Sequence, residues 1–209
     1  MRSTLAAVLA GLVLAGAAAG ADKPVGYIDN ADGFRVVLPA KWYPVPRSAT
    51  EVKQLIATLK KAKKTSLATA YGFYLTANGQ TERKAYVFEA FYFDGPTSDP
   101  VPLSVSIQIV PAKRAYTAAD LETAGRTYAS ALASTKGAKV SAPAQVKLPA
   151  GTAELVRGVI PNGNGVSTGA ELYLLAHGKR VYALSFKVNA QLLSRAKVFR
   201  AIANTFRFA

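Results

Sequence analysis

The chain of 209 residues contains no cysteine, and this absence excludes several classes of protein. No disulfide framework can hold the chain together, so its fold must depend on a packed core. Catalysis by a thiol, zinc bound by cysteine and iron–sulfur clusters are excluded for the same reason. The single histidine, His177, cannot build a histidine-rich metal site, and we interpret it as a turn residue. There is no phosphate-loop or dinucleotide motif either, so we expect neither a metal nor a cofactor.

Acidic residues are scarce: 12 Asp and Glu stand against 26 Lys and Arg, which gives a formal net charge of +14. A strongly basic protein associates with anionic counterparts, and the candidates are lipid headgroups, acidic envelope polymers and acidic proteins. Extracellular DNA is also anionic, but we do not expect a nucleic acid to be the partner. The alternative interpretation is that the charge only belongs to a solvated surface.

The first 21 residues have the pattern of a Sec signal peptide. Arg2 precedes an apolar run, and a stretch of small residues then offers cleavage sites after Ala19 or Ala21. The apolar run is too short and too rich in Ala and Gly to span a membrane comfortably, although a retained N-terminal anchor is the alternative. We therefore predict an extracytoplasmic protein, periplasmic or secreted and at most peripheral to the membrane, whose residues 22–209 form one domain.

A lysine-rich helix is predicted to begin at Ser48, because Ser48 and Glu51 have the spacing of a capping box. Lysines crowd one side of this helix and its C-terminal turn: Lys53, Lys60, Lys61, Lys63 and Lys64. Cations at this end suit the helix dipole, so one interpretation is a solvated helix face and the other is an anion-binding surface. After the helix, residues 65–76 fit either a helix or a strand, and Asn78-Gly79 indicates a turn.

The C-terminal part of the chain indicates the architecture. Strands at 170–176 and 180–188 form a hairpin that leads directly into an amphipathic helix over residues 190–205. The buried stripe of this helix is predicted to be Leu192, Ala196, Phe199, Ala203 and Phe206. A helix that follows its own hairpin in this way buries its stripe on one face of the sheet.

Further strands and one more helix are predicted upstream of this hairpin. The strands lie at 84–93, 103–110, 139–148 and 152–160, and a short hairpin surrounds Asp32-Gly33. The helix is capped by Thr117 and Asp120, and its stripe is Leu121, Ala124, Tyr128 and Leu132. Together the elements predict an α+β fold: an antiparallel β-sheet of about six or more strands, sandwiched by helices in a single domain.

The predicted strands allow polar side chains to gather on one face of the sheet: Ser104, Ser106, Gln108, Glu171, Tyr173, Ser185 and Lys187. A helix that covered this face incompletely would leave a polar cleft. The alternative is a sheet face that is half exposed to water. The candidate binding residues are therefore Lys53, Lys60, Lys61 and Lys64 on the helix, and Ser104, Ser106, Gln108, Tyr173 and Lys187 on the sheet.

Two catalytic patterns lack the context that their chemistry requires. Residues 165–169 match the G-x-S-x-G motif around Ser167, but a loop precedes this serine and a strand follows it. A nucleophile of this class needs a strand before it and a helix after it. The carboxylates near predicted strand ends form two pairs, Asp94 with Asp99 and Glu154 with Glu171, and we do not expect either pair to serve a glycosidase. We therefore expect a protein that is not an enzyme.

Several short motifs resemble those of PsbP-like proteins. They are Asp32-Gly33-Phe34 with Pro39, Lys41-Trp42 and Pro44, then Leu103-Ser104-Val105 with the helix start at Thr117, and finally Gly178-Lys179-Arg180-Val181-Tyr182 leading to Lys197-Val198-Phe199 and Asn204-Thr205-Phe206. The resemblance covers the chain after the predicted signal peptide except residues 48–84, where the lysine-rich helix departs from the family pattern.

This resemblance implies an exported protein with an antiparallel sheet between helices. Photosynthetic members of the family are extrinsic, non-enzymatic subunits of a membrane complex, so the resemblance implies binding rather than catalysis and provides no catalytic residues. We predict an exported, non-enzymatic accessory or binding protein of the cell envelope that binds a protein or an anionic polymer. The alternative is a carrier of a small molecule or lipid that uses a cleft between the sheet and the helices, and a hydrolase is the third hypothesis.

Overall fold

A computed structural model describes residues 23–94, 103–162 and 165–209. Within these ranges the strands are β1 (Val25–Asp29), β2 (Phe34–Leu38), β3 (Trp42–Pro44), β4 (Phe88–Tyr92), β5 (Ser104–Pro111), β6 (Lys139–Val140), β7 (Ala144–Leu148), β8 (Gly151–Pro161), β9 (Ser167–His177), β10 (Arg180–Asn189) and β11 (Arg207–Phe208). The α-helices are α1 (Ala49–Lys61), α2 (Thr65–Gly72), α3 (Ala77–Ala85), α4 (Ala118–Ala133) and α5 (Lys197–Ala203). Short 3-10 helices cover Phe73–Leu75 and Ala190–Ala196.

The chain forms two compact units. Among the described residues, the helical unit comprises residues 23–25 and 38–94, and the sheet unit comprises residues 26–37, 103–162 and 165–209. The predicted signal peptide lies outside the described residues, so it stays a prediction, as does the assignment of residues 22–209 to one domain. No helix in the described ranges is long and apolar enough to cross a membrane.

The helical unit is organised around α1. The predicted capping box is confirmed: Ser48 Oγ accepts from the Glu51 N–H at 3.1 Å, and the Glu51 carboxylate accepts from the Ser48 N–H at 3.1 Å. Helix α1 buries Val52, Leu55 and Leu59 completely. These side chains form one cluster with residues of α2, the first 3-10 helix and the antiparallel pair β3–β4: Tyr43, Val45, Leu67, Ala68, Tyr71, Tyr74 and Phe91. Each large aliphatic side chain buried in this way contributes about 1.5–3 kcal/mol.

The segment after α1 is helical, and the predicted turn at Asn78-Gly79 is wrong. Both residues lie in the first turn of α3, where Thr76 Oγ1 caps the helix by accepting from the Gly79 N–H at 3.2 Å. Glycine is needed there for close packing, because a Cβ on Gly79 would lie 2.3 Å from the Phe73 carbonyl oxygen. Since α3 continues to Ala85, the strand predicted at 84–93 is shorter and begins only at Phe88.

The sheet unit contains an antiparallel sheet in the strand order β5-β10-β9-β8-β6, with β7 also paired to β8. These six strands confirm the predicted α+β class and the predicted antiparallel sheet. The hairpin between β9 and β10 pairs Arg180 with His177, and Gly178 supplies the positive φ of 56° that the tight turn requires. The strand predicted at 139–148 is divided into β6 and β7.

One face of this sheet, which we call the α4 face, is covered by α4. The capping box at Thr117 and Asp120 is confirmed, and the Arg114 guanidinium bonded to Asp120 holds the pKa of that carboxyl well below its usual range. The buried side of α4 consists of Leu121, Gly125 and Ala129, and Ala124 and Leu132 pack against the same cluster. The predicted stripe is therefore correct at Leu121, Ala124 and Leu132 and wrong at Tyr128. Tyr128 is 37% exposed. The small Gly125 lets α4 lie close to the strands, and Tyr128 is not on the side of the helix that makes this contact.

The opposite face, which we call the α5 face, is covered by the C-terminal segment. The Phe199 ring stacks on Phe186 of β10 with centroids 4.9 Å apart. The predicted single helix over 190–205 is wrong, since Leu192 has non-helical angles and a 3-10 segment precedes α5. The chain then leaves the helix so that β11 pairs with β2. Helices on both faces confirm the predicted sandwich within the sheet unit.

Candidate binding sites

The lysine surface, defined as Lys53, Lys60, Lys61, Lys63 and Lys64, lies on α1 and the residues that follow it. The first four are exposed and Lys64 is half-buried. Lys63 has a φ of +58°, a left-handed conformation that glycine normally supplies at the end of a helix. This conformation lets the Lys64 N–H donate to the Leu59 carbonyl oxygen at 2.8 Å, which ends α1 and keeps four of the lysines within five residues.

The lysine surface has little acidic compensation. Lys53, Lys60, Lys61 and Lys63 form no ion pair or side-chain hydrogen bond with the described residues. Two of them, Lys60 and Lys61, occupy the last turn of α1, where the partial negative charge of the helix end favours cations. The dipole therefore explains part of the cluster, but Lys53 in the second turn lies outside its reach.

The predicted polar face is only partly correct. The β5–β10 register places Lys187 opposite Ser104, Ser185 opposite Ser106 and Ala183 opposite Gln108, so these side chains share the α4 face. Ser106 is buried, Ser104 and Lys187 are half-buried, and Gln108 is exposed.

The prediction that Tyr173 and Glu171 share this face is wrong. Tyr173 pairs with Leu184 and Glu171 pairs with Phe186, so both lie on the α5 face. The Tyr173 hydroxyl donates to Glu171 Oε2 at 2.8 Å, and Arg157 Nε donates to Glu171 Oε1 at 2.9 Å. Burial, followed by the bond to Glu171, raises the pKa of Tyr173 well above its usual range. This group acts as a structural network rather than as part of the predicted cleft.

A cavity of about 210 Å³ that is open to solvent lies between the α4 face and the N-terminal part of α4. Its lining is Tyr116, Thr117, Ala118, Leu121, Gln145, Thr152, Ala153, Glu154 and Ala176. A space between the sheet and a helix was predicted in general terms, but it is built from residues other than the predicted ones. We call it the α4 cavity.

Among the described residues that line the α4 cavity, Glu154 is the only one with an acidic or basic side chain, and it is 3% exposed. It lies in β8 opposite Gln145 of β7 and Leu174 of β9. Burial raises the pKa of the Glu154 carboxyl, the nearby Glu122 raises it further, and Arg126 acts in the opposite direction. Arg126 is itself paired with Glu122 across one turn of α4.

Sequence reasoning named Glu154 only as half of a carboxylate pair with Glu171. The two residues lie on opposite faces of the sheet, so they cannot flank one substrate. The signal that would have found the site is an acidic residue within the apolar segment Ala153-Glu154-Leu155-Val156, because burying a charge there needs a specific partner. Asp99, from the other pair, lies outside the described residues.

The serine motif does not form a catalytic site with the histidine. Ser167 and His177 are the first and last residues of β9, an eleven-residue strand that holds them about 33 Å apart. His177 stacks on Phe208 with ring centroids 4.4 Å apart, consistent with a structural role at the hairpin turn. No group of three or more His, Asp or Glu side chains placed to hold a metal ion occurs in the described residues.

The fold has known counterparts among solved structures. The chain superposes on cyanobacterial PsbP from Synechocystis sp. PCC 6803 with a TM-score of 0.54 and 10% identity, over 91% of this chain and 95% of that one. It also superposes on LpqN, described as involved in cell envelope biogenesis of Mycobacterium tuberculosis, with a TM-score of 0.54 and 13% identity, over 90% and 91% of the two chains. A protein from Bacteroides thetaiotaomicron VPI-5482 gives 0.50 and 11%, over 88% of this chain and 48% of that one.

These similarities define the class of fold. No protein-family model matches the sequence, and no curated protein matches it. The molecule is therefore an α+β protein with a PsbP-like fold, and the resemblance predicted from short sequence motifs is confirmed at the level of the fold.

Proposed function

We propose that this protein is an exported, non-enzymatic accessory protein of the cell envelope that attaches to an anionic envelope component through the lysine surface. The observation that carries the proposal is the group of four exposed lysines without an ion-pair partner in the described residues, Lys53, Lys60, Lys61 and Lys63. The signal-like N-terminus supports export. The shared fold with LpqN, whose description concerns cell envelope biogenesis, supports an envelope location.

The chemistry of lysine favours an extended anionic surface over a single bound anion. A lysine ammonium is a point charge on a flexible stem, whereas discrete phosphates and carboxylates are more often held by the planar fork of arginine. Each lysine close to an anionic membrane contributes about 1 kcal/mol, so four exposed lysines are enough for reversible attachment. Such attachment weakens as salt screens the charges.

The test is co-sedimentation of the purified protein with vesicles that contain phosphatidylglycerol or only phosphatidylcholine. We expect binding to the anionic vesicles at low salt, and a loss of at least about tenfold when Lys53, Lys60, Lys61 and Lys63 are all changed to Gln. The matched control changes four exposed lysines of the sheet unit to Gln, Lys113, Lys136, Lys139 and Lys179, and thus has the same net charge. A competition with poly-glutamate distinguishes a lipid surface from an acidic polymer.

Equal losses in the two variants would contradict the proposal, because net charge alone would then explain binding. Capture of a specific envelope protein that persists at high salt would also contradict it, since a packed interface does not dissociate by screening.

The alternative function, a carrier, is favoured by the α4 cavity alone. Its volume of about 210 Å³ is smaller than the roughly 300–1,000 Å³ of sites for drug-sized ligands. The cavity therefore favours a small molecule and disfavours a lipid chain.

A further inference from the structure

We propose that the α4 cavity binds a small primary amine in its ammonium form, with the Glu154 carboxylate as counter-ion. The site belongs entirely to the sheet unit and uses no residue of the lysine surface. Its existence is therefore independent of the attachment proposed above, and the two can be tested separately.

The Glu154 carboxylate has no hydrogen-bond donor among the described residues of the protein. An ionised carboxylate only accepts hydrogen bonds, and a buried one normally accepts several. Within the described residues, no hydrogen bond or ion pair reaches the Glu154 carboxylate. By comparison, Glu171 on the other face of the same sheet accepts from both Arg157 and Tyr173. Glu154 is therefore a largely buried residue that lines the cavity with a carboxylate lacking a protein donor, and a ligand that donates a hydrogen bond would satisfy it.

The charges around Glu154 also favour a cationic ligand. The nearby cation on α4, Arg126, is held by Glu122, so this pair carries no net charge and Glu154 is left over. The residues beside Glu154 on the same face are uncharged: Gln145 and Leu174 lie opposite it, and Thr152 precedes it on β8. A cationic ligand would supply the missing positive charge, whereas a carboxylate or phosphate would be repelled.

The lining of the α4 cavity combines apolar and polar side chains. Ala118, Leu121, Ala153 and Ala176 provide apolar surface, and Tyr116, Thr117, Gln145 and Thr152 provide side chains that can accept hydrogen bonds. An ammonium group has three donors, one for Glu154 and two for such neighbours. A short aliphatic tail would cover the alanine and leucine surface, so the ligand class is an amine of a few carbon atoms.

The test is a titration of the purified full chain with propylamine, 1-propanol and propionate at neutral pH, followed by calorimetry and NMR. We expect propylamine to bind, and 1-propanol and propionate to bind at least about tenfold more weakly, as loss of a charged hydrogen bond predicts. Titration with glycerophosphoethanolamine then distinguishes two sources of the amine. If the ligand is an amine on a lipid headgroup, glycerophosphoethanolamine should bind. If the ligand is a free amine, propylamine should bind and glycerophosphoethanolamine should not.

Glu154→Gln keeps the shape of the side chain and removes its charge, so it should weaken propylamine binding by about tenfold or more. Glu82→Gln in α3 makes the same change of net charge outside the cavity and should leave the affinity unchanged. A second variant, Ala176→Leu, fills the cavity at the end of β9 while keeping Glu154 and should also block binding. Unfolding curves confirm that each variant is folded.

Three results would overturn the proposal. The first is that propylamine does not bind the unaltered protein at millimolar concentration. The second is that 1-propanol binds as tightly as propylamine, because the charge would then have no role. The third is that Glu154→Gln binds propylamine as well as the unaltered protein does.

Discussion

The side chain of Glu154 in β8 lies directly beneath Gly125 of α4, where a Cβ would come within 2.5 Å of the Glu154 Cγ. Because Gly125 has no side chain, it leaves room for the Glu154 side chain between the helix and the sheet. The same contact places Gly125 on the buried side of α4 between Leu121 and Ala129. The position of the helix over the sheet and the environment of Glu154 are therefore determined together.

Changing Gly125 to Ala should destabilise the protein, although alanine is the better helix former. The helix gains about 1 kcal/mol of intrinsic propensity, but overpacking against Glu154 costs about 1–3 kcal/mol and exceeds that gain. Urea unfolding measures the difference. Gly72→Ala in α2 is the matched control, because a Cβ there has nothing within 4 Å, and it should stabilise by about 0.5–1 kcal/mol. A Gly125→Ala protein as stable as the parent would show that the helix is not held close to the strand.

The local signals in the sequence predicted local structure well. Ser48 with Glu51 and Thr117 with Asp120 form their capping boxes, because every atom that such a motif needs lies within four residues. The β9–β10 hairpin is correct for the same reason. The polar set on β5 and β10 also shares one face as predicted, since alternation along paired strands follows directly from the pleat.

The incorrect predictions concern contacts between distant residues. Asn78-Gly79 resembles a turn, but the glycine is required by the backbone of Phe73, which packs against it. Tyr128 has the helical spacing of a stripe with Leu121, Ala124 and Leu132, but only those three pack against the strands and Tyr128 is exposed. The environment of Glu154 depends on β7, β8 and α4 together, so an acidic residue within an apolar segment indicates a buried charge but does not show that it lines a cavity.

Replacement of Glu154 by Gln should change how stability depends on pH. Burial raises the folded-state pKa of Glu154 above the ordinary value of a glutamate, so the folded protein holds this proton more tightly than the unfolded chain. The stabilisation from the Glu154 proton is complete at a pH below the pKa of Glu154 in the unfolded chain. It is lost as the pH rises through the pKa of Glu154 in the folded protein. Glu154→Gln does not lose this stabilisation as pH rises. Its free energy of unfolding relative to the unaltered protein should therefore increase from about pH 4 upwards and then become constant.

Urea unfolding of both proteins from about pH 4 to about pH 8 measures this difference. Plotted against pH, the difference in free energy of unfolding between the two proteins should change in one step, at a pH above the ordinary pKa of a glutamate. A difference between the two proteins that is the same at every pH would mean that the Glu154 carboxylate is well solvated, and it would remove the electrostatic basis for an amine site.

Lys63 holds the left-handed position after α1 at a cost in stability, and this cost can be measured. A side chain in this conformation costs about 1–2 kcal/mol, while glycine adopts it freely and loses part of the advantage through its larger unfolded-state entropy. Lys63→Gly should therefore stabilise the protein by about 0.5–1 kcal/mol in urea unfolding, whereas Lys63→Ala, which keeps the Cβ, should give no such gain. If both variants were equally stable, strain at φ +58° would not be the cause. If Lys63→Gly were the more stable and also bound anionic vesicles more weakly, the lysine would be retained at this position for attachment rather than for folding.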